Sequence, residues 1–470
     1  MSTPLLLAGP LLAGAILSPV EVARDGVAAS GGATADWIGE ANQSLASFGI
    51  SIAAAGDVNG DGYGDVIVGA SEFDNGQLGE GRVFAYHGSP TGLHTTPDWS
   101  VEGEQPGANF GVSVGTAGDV NGDGYDDVIV GANFYDNGQL DEGRALVYHG
   151  SAAGLATTPA WTAEGNQANG SFGYAARGAG DVNGDGYHDV IVGAPAYDNG
   201  QLDEGRAYVY LGSPQGLKPT PSWIVEGNQA GTQGGCACFG QSVGTAGDVN
   251  GDGYDDVIVG APFYDHGQNN EGSAFLYLGS ALGLRKRASW RGEANQENAY
   301  FGRAVGSAGD VNGDGYDDIV VGADYYDQDQ QDEGAAFVYH GSPSGPSTTA
   351  QWIGDTNLGG TRYGASVGTA GDVNGDGFAD LIVGAPSWWG TPSTGGAAFA
   401  YFGSASGLPA APDWMGLGQG TYVAAQYGIS VGTAGDVNGD GFDELLVGAR
   451  HETRGEFFEG AAYSYHGPQP

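Results

Sequence analysis

One unit of about 62 residues, repeated seven times, constrains this chain more than any other feature. Trp recurs at Trp37, Trp99, Trp161, Trp223, Trp290, Trp352 and Trp414, with steps of 62 residues and a single step of 67. An Asp-rich nonapeptide, "DVNGDGYDD" in its second copy, opens at Asp57, Asp119, Asp181, Asp248, Asp310, Asp372 and Asp436 with nearly the same step. Such a period marks a repeat architecture, in which each unit buries its apolar face only against its neighbours. It overrules the three domains that 470 residues alone would suggest.

The unit from Trp99 to Ala160 contains four short segments, "WSVEG", "FGVSVGTAGD", "DVIVGANFYD" and "RALVYHGS". Each is apolar or alternating, rich in Val, Ile, Tyr and Phe, and closed by Gly, Asn or Asp, which is the pattern of a strand. No segment keeps a helical period. Four strands in each of seven units predict an all-β fold, a seven-bladed β-propeller of four-stranded antiparallel blades. A β-roll or solenoid fits less well, because its repeat is far shorter and carries a metal motif on every turn. The chain opens with a Trp strand (Trp37 to Glu40) and ends just after "AAYSYHG" (Ala461 to Gly467), so the seventh unit lacks a Trp strand of its own. The N-terminal strand is therefore expected to complete the last blade and latch the ring, since an open ring would expose a sheet edge. Residues 36–470 read as a single propeller domain, and residues 1–35 as a signal-like apolar segment and linker.

The nonapeptide places oxygen donors at positions 1, 3, 5, 7 and 9 around a glycine turn, a set of hard ligands that suits Ca²⁺. In the first unit these are Asp57, Asn59, Asp61, the carbonyl of Tyr63, and Asp65. The next three units supply Asp119, Asn121, Asp123, Tyr125 and Asp127; Asp181, Asn183, Asp185, Tyr187 and Asp189; and Asp248, Asn250, Asp252, Tyr254 and Asp256. The last three supply Asp310, Asn312, Asp314, Tyr316 and Asp318; Asp372, Asn374, Asp376, Phe378 and Asp380; and Asp436, Asn438, Asp440, Phe442 and Glu444, where a Glu closes the set. An EF-hand would need a Glu at position 12, which is Val68 in the first unit, and flanking helices. Mg²⁺ prefers to keep its waters, and Zn²⁺ prefers His or Cys. Metal-free Asx turns are the plainer alternative, but seven copies with every oxygen position filled favour Ca²⁺, up to seven ions.

Charge points the same way. With 57 Asp and Glu against 14 Lys and Arg, the formal charge is −43, which opposes compaction and argues against nucleic acid or an anionic membrane as partner. Seven Ca²⁺ ions would add fourteen positive charges and bring −43 to about −29. An apolar fraction of 40% still provides a core.

From Pro4 to Val20 the chain carries no charge, and "LLLAGPLLAGAILS" resembles the apolar region of a secretory signal, too short and too rich in Gly and Pro for a transmembrane helix. No Lys or Arg precedes it, and the small-residue site "ATA" at Ala33 to Ala35 lies far downstream, so a plain N-terminal extension is the alternative. Extracellular calcium modules bind at about 10⁻⁴ to 10⁻³ M, too weakly to fill in a resting cytosol. Export, to the medium or the cell surface, is the expectation.

The pairs "FG" (Phe110-Gly111) and "GAP" (Gly260-Ala261-Pro262), with the acidic loop lying between such pairs, resemble the FG-GAP repeats of the integrin α-subunit propeller across residues 36–470. Tyr363 and Tyr427 replace Phe, and "GAS", "GAN", "GAD" and "GAR" replace "GAP" in some units. The resemblance implies calcium loops on the lower face of the ring, ligands on the upper face, and closure by an N-terminal outer strand. It also implies a role in adhesion or ligand binding, with an extracellular protein or glycan as partner. Integrin α-subunits usually carry the calcium pattern in only some blades, and continue into leg domains and a membrane span. This chain is expected to behave more like soluble or surface-attached microbial FG-GAP proteins, as a monomer.

Specificity requires asymmetry, and two units break the repeat. Unit four inserts five residues around "GTQGGCACFG", and unit six replaces the acidic turn with "SWWGTPSTGG". Trp388 and Trp389 there form a candidate aromatic platform for sugar or protein; local packing is the plainer alternative. Cys236 and Cys238 are a loop staple or two thiols, and no basic residue nearby activates them. His87, His149, His340 and His466 share one strand-end position with Leu211, Leu278 and Phe402, so it is a packing position; His94, His188, His266 and His451 stand singly in loops. No Ser-His-Asp arrangement is legible, and no enzyme is expected. A multivalent lectin is the alternative function, and a hydrolase using the central channel a more distant one.

Overall fold

The computed structural model describes residues 34–230, 236–390, 395–418 and 425–467. Among the described residues, twenty-eight strands form seven four-stranded antiparallel sheets, and six of these take their strands in chain order from inner to outer. The first blade, for example, runs Phe48–Gly56, Asp65–Ala70, Arg82–Tyr86 and Trp99–Glu102. The seventh joins Tyr427–Gly435, Glu444–Ala449 and Ala461–Tyr465 to the N-terminal Trp37–Glu40, with Trp37 opposite Ser464 and Glu40 opposite Ala461. The ring thus closes as the missing Trp strand predicts. Most of the N-terminal segment of residues 1–35 lies outside the described residues.

The core lies between blades. Every second strand, "DVIVGA" or a close variant, is buried along its whole length, because a neighbouring blade covers each face. Ile67, Val83 and Ala85 of the first blade pack with Phe110, Val114, Val128 and Val130 of the second. Each outer-strand Trp ties its blade to the next: Trp37 Nε1 donates to His94 O (2.8 Å), Trp99 Nε1 to Ala156 O (3.0 Å), and each ring packs edge-on against Tyr86 or Tyr148.

The "FG" and "GA" pairs have a steric origin. A Cβ on Gly69 would collide with the carbonyl of Gly111 in the next blade, and the same approach recurs round the ring to Gly448 against Gly49. Glycine lets the two backbones meet at the point where blades wedge together. Among the described residues no helix is long and apolar enough to cross a membrane.

Candidate calcium loops and the upper face

Antiparallel blades place the nonapeptide loops, which join inner to second strands, at one end of the ring. The turns joining second to third strands, and the links from one blade to the next, lie at the other.

In the first loop a register shift between Ala54 and Gly56 ends the pairing, and the chain then folds on its own side chains. Asp57 Oδ1 accepts from the amides of Gly60 (2.7 Å) and Asp61 (3.1 Å), and its Oδ2 accepts from Gly62 (2.8 Å). Asn59 Oδ1 accepts from Asp61 N (2.8 Å), and Asp61 Oδ1 from Tyr63 N (3.1 Å). These bonds turn positions 1, 3 and 5 inward. The same pattern holds, for example, in the loops that open at Asp119, Asp181 and Asp372.

The closing carboxylate differs in kind. Asp65 is fully buried at the head of the second strand, and its two oxygens accept from Val58 N and Gly88 N, both at 2.9 Å. Burial pushes its carboxyl up to about 7, the charges of Asp61 and Asp57 add to this, and the two amides oppose it. Asp127, Asp189, Asp256, Asp318 and Asp380 are likewise pushed up to about 7, burial again being the main cause. Glu444 is raised to about 7 by burial against the amide of Val437 and the ring of His466, whose Nδ1 lies 2.7 Å away. A buried carboxylate crowded by two others is unfavourable by itself and is stabilised by a cation among them. The donor set is all oxygen, so it fits Ca²⁺. In the seventh loop ligand atoms of Asp436, Asp440 and Glu444 lie within 4.8 Å of one another.

Sequence inspection missed what position 8 does. Asp126 Oδ2 accepts from Asp57 N of the preceding blade (2.9 Å), while Asp126 N donates to Asp57 O (3.1 Å). His188 Nδ1, Asp255, Asp317 and Asp443 accept in the same way from Asp119, Asp181, Asp248 and Asp372. Gly64 and Ala379 keep only the backbone bond, to Asp436 O and Asp310 O. Seven loops are thereby joined into one ring. The signal was a polar residue at position 8 in five of seven units, a site the calcium pattern leaves unused.

On the upper face, Gln43 clamps the backbone of Asp74 in both directions, each bond 2.6 Å, and Gln105, Gln167, Gln229 and Gln296 repeat this against Asp136, Asp198, Asp265 and Asp327. Trp388 and Trp389 part company. Trp388 is half-buried and packs edge-on against Phe399 at 5.4 Å, whereas Trp389 is 53% exposed and donates to Gly359 O (2.8 Å). Residues 391–394 of that turn and 231–235 of the unit-four insertion lie outside the described residues. Cys236 and Cys238 form a disulfide across Cα atoms 4.9 Å apart. His266, single in the sequence, lies 2.9 Å from Glu293, which Arg291 also contacts.

Comparison with known proteins matches the FG-GAP repeat model to residues 48–86, 110–148, 172–210, 239–277, 301–339, 363–398 and 427–465. These segments run from the inner strand into the third strand of each blade. Integrin alpha pat-2 of Caenorhabditis briggsae is 31% identical over 288 residues, covering 56% of this chain and 22% of that protein. Integrin alpha-5 of Xenopus laevis is 32% identical over 242 residues, 50% of this chain and 22% of its own length. Integrin alpha-IIb of Mus musculus is 35% identical over 219 residues, 43% and 20% respectively. The matched region spans about a fifth of the length of these relatives.

Proposed function

The chain belongs to the FG-GAP repeat family, and from that membership we propose that it is a secreted or cell-surface, calcium-loaded propeller that acts as an integrin-α-like adhesion or ligand-binding module. The observation that supports this reading is the ring of linked loops, each closed by a buried carboxylate, with ligand atoms of Asp436, Asp440 and Glu444 within 4.8 Å of one another in the seventh. In this reading Ca²⁺ in each loop neutralises the charge that Asp65 and its counterparts concentrate, and stiffens the contact between blades. The ions would be held by positions 1, 3, 5, 7 and 9 of each loop. The ring so stiffened then presents its upper face, with Trp389 exposed on it, to an extracellular polypeptide.

The relatives are integrin α-subunits, which supports adhesion and lends no support to the lectin alternative. The test is binding of the purified, calcium-loaded chain to matrix proteins and to glycans, with and without a chelator. Chelator-sensitive binding to polypeptide is expected. Binding to glycans alone, or binding to polypeptide that is indifferent to chelator, would overturn the proposal.

A further inference from the structure

Positive charge is scarce in this chain, yet Arg177, Arg303, Arg362 and Arg450 gather about the propeller axis. The inner strands enclose an axial channel of about 690 Å³, walled mainly by small and apolar residues, with Arg177 and Arg303 among its lining. At the level of Arg177 the other six units carry Ala53, Gly115, Gly244, Gly306, Gly368 and Gly432. Arg177 Nη1 donates to Ser113 Oγ (2.8 Å), Val114 O (2.6 Å) and Ala176 O (3.1 Å), which pins the guanidinium to the wall. Among the described residues no carboxylate pairs with it, and nothing accepts from its Nε or Nη2. The side chain is half-buried and lines the channel, and burial lowers its pKa to about 10.

The glycines opposite are a separate observation. Gly306, Gly368 and Gly432 have no positive φ, and a Cβ on any of them would meet nothing within 4 Å. Neither conformation nor crowding requires glycine there, and glycine inside a strand weakens it. Their effect is to keep the channel open.

At the upper mouth, Arg362 Nε and Nη2 donate to Asp324 Oδ2 (3.1 and 2.6 Å), with Arg303 Nε 3.9 Å from the same oxygen. Arg450 stands near enough to Arg303, Arg362, Tyr174 and Glu72 for their charges to act on it. Asp324 and Glu72 offset only part of this positive charge. The lower mouth carries Asp126 and His188 instead.

We propose that the axial channel binds a small organic carboxylate, which enters from the upper face and is anchored by Arg177. The free edge of a guanidinium offers two parallel N–H donors that match a carboxylate, and pairing would compensate a half-buried charge that no carboxylate of the chain pairs with among the described residues. The channel has the volume of an ordinary ligand cavity, and its Ala, Val and Ile walls suit an apolar body. Arginines at the mouth would raise the local anion concentration. This site is separate from the calcium loops and does not depend on the adhesion reading.

The experiment titrates the full calcium-loaded chain, at low salt, with benzoate, neutral benzyl alcohol and inorganic phosphate, read by calorimetry and by the ¹⁵N resonance of Arg177 Nε. Benzoate is expected to bind once per chain and to shift that resonance. Arg177→Gln should weaken binding about tenfold or more, as loss of a charged hydrogen bond does. Gly368→Phe, which fills the channel and leaves Arg177 in place, should abolish it, and it decides the matter if Arg177→Gln fails to fold. Benzyl alcohol binding as tightly as benzoate, or phosphate binding more tightly, overturns the carboxylate assignment. Absence of benzoate binding to the wild type at about 10 mM, or binding undiminished in Gly368→Phe, overturns the site.

Discussion

The ring of Tyr125 rests on the backbone of Gly60 in the preceding blade: a Cβ on Gly60 would stand 2.6 Å from Tyr125 Cε1. Tyr187 meets Gly122, Phe442 meets Gly375, and Tyr63 closes the circle on Gly439 in the same way. The aromatic at position 7 of the nonapeptide is therefore a packing residue of the ring, and the glycine at position 4 is the surface it packs on. Gly62 also has positive φ, +90, but nothing lies within 4 Å of its would-be Cβ. Gly60→Ala should thus lose about 1–3 kcal/mol more than Gly62→Ala, the usual range for overpacking. Urea unfolding at saturating calcium measures the difference, and equal losses would remove the packing role of Tyr125.

Calcium removal should lower the melting temperature markedly. A ligand at 100 times its Kd stabilises the folded state by about 2.7 kcal/mol per site, and the loops here are several and linked. Melting in chelator, then after return of Ca²⁺ or Mg²⁺, checks this; Ca²⁺ should restore the loss and Mg²⁺ should restore less of it. A melt that ignores the chelator would sink the metal assignment.

Trp37 carries the latch. It lies in the N-terminal strand of the seventh blade, donates to His94 O of the first blade (2.8 Å) and packs edge-on against Tyr86 at 4.8 Å. Trp37→Ala should cost about 3–5 kcal/mol, as large-to-small changes of a buried Trp do. Deletion of residues 1–40 should go further, exposing the edge of Ala461–Tyr465 and producing aggregation visible by light scattering. A monomeric, fully stable deletion would show that closure does not depend on this strand.

His451 should make stability fall on acidification. It stacks on Phe458 at 5.1 Å, and burial, followed by the charge of Arg450, holds its pKa below the ordinary value of about 6.5. The folded state therefore binds this proton less readily than the unfolded chain. The contribution is complete above about pH 6.5 and is lost as pH falls below that value. His451→Phe should lose less stability than the wild type between pH 7 and 5, both at saturating calcium. Parallel curves would clear His451 of the effect.

Trp388 and Trp389 should separate by assay. Trp388→Ala removes a ring packed on Phe399 and should cost about 2–4 kcal/mol. Trp389→Ala removes an exposed ring, so it should leave the melt within about 0.5 kcal/mol and weaken ligand binding. Equal binding by Trp389→Ala would take that residue out of the upper-face site.

Most of the fold was legible because repetition averages out local ambiguity. The strand around Val66 to Val68 is short and ambiguous alone, but seven aligned copies with a Trp, an "FG" pair and an acidic loop at constant spacing leave one architecture. The turns of the acidic loops were legible for a related reason: the oxygens at positions 1, 3 and 5 accept from backbone amides only a few residues further on. Position 8 was not, since Asp126 acts on Asp57 of the preceding blade, 69 residues away. Nor was the fate of the Trp pair, because adjacent residues on a turn point in different directions and only the packing partners decide which is covered.

Sequence alone determined the number of blades, the strand content and the latch, all of which rest on short-range patterns or their repetition. Only the tertiary structure decided what meets across the ring. Arg177, Arg303, Arg362 and Arg450 belong to different units, and nothing in their spacing links them. Ring closure turns the inner strands of successive units toward one axis, so Arg177 and Arg303 come to line a common channel, with Arg362 beside Arg303 at Asp324.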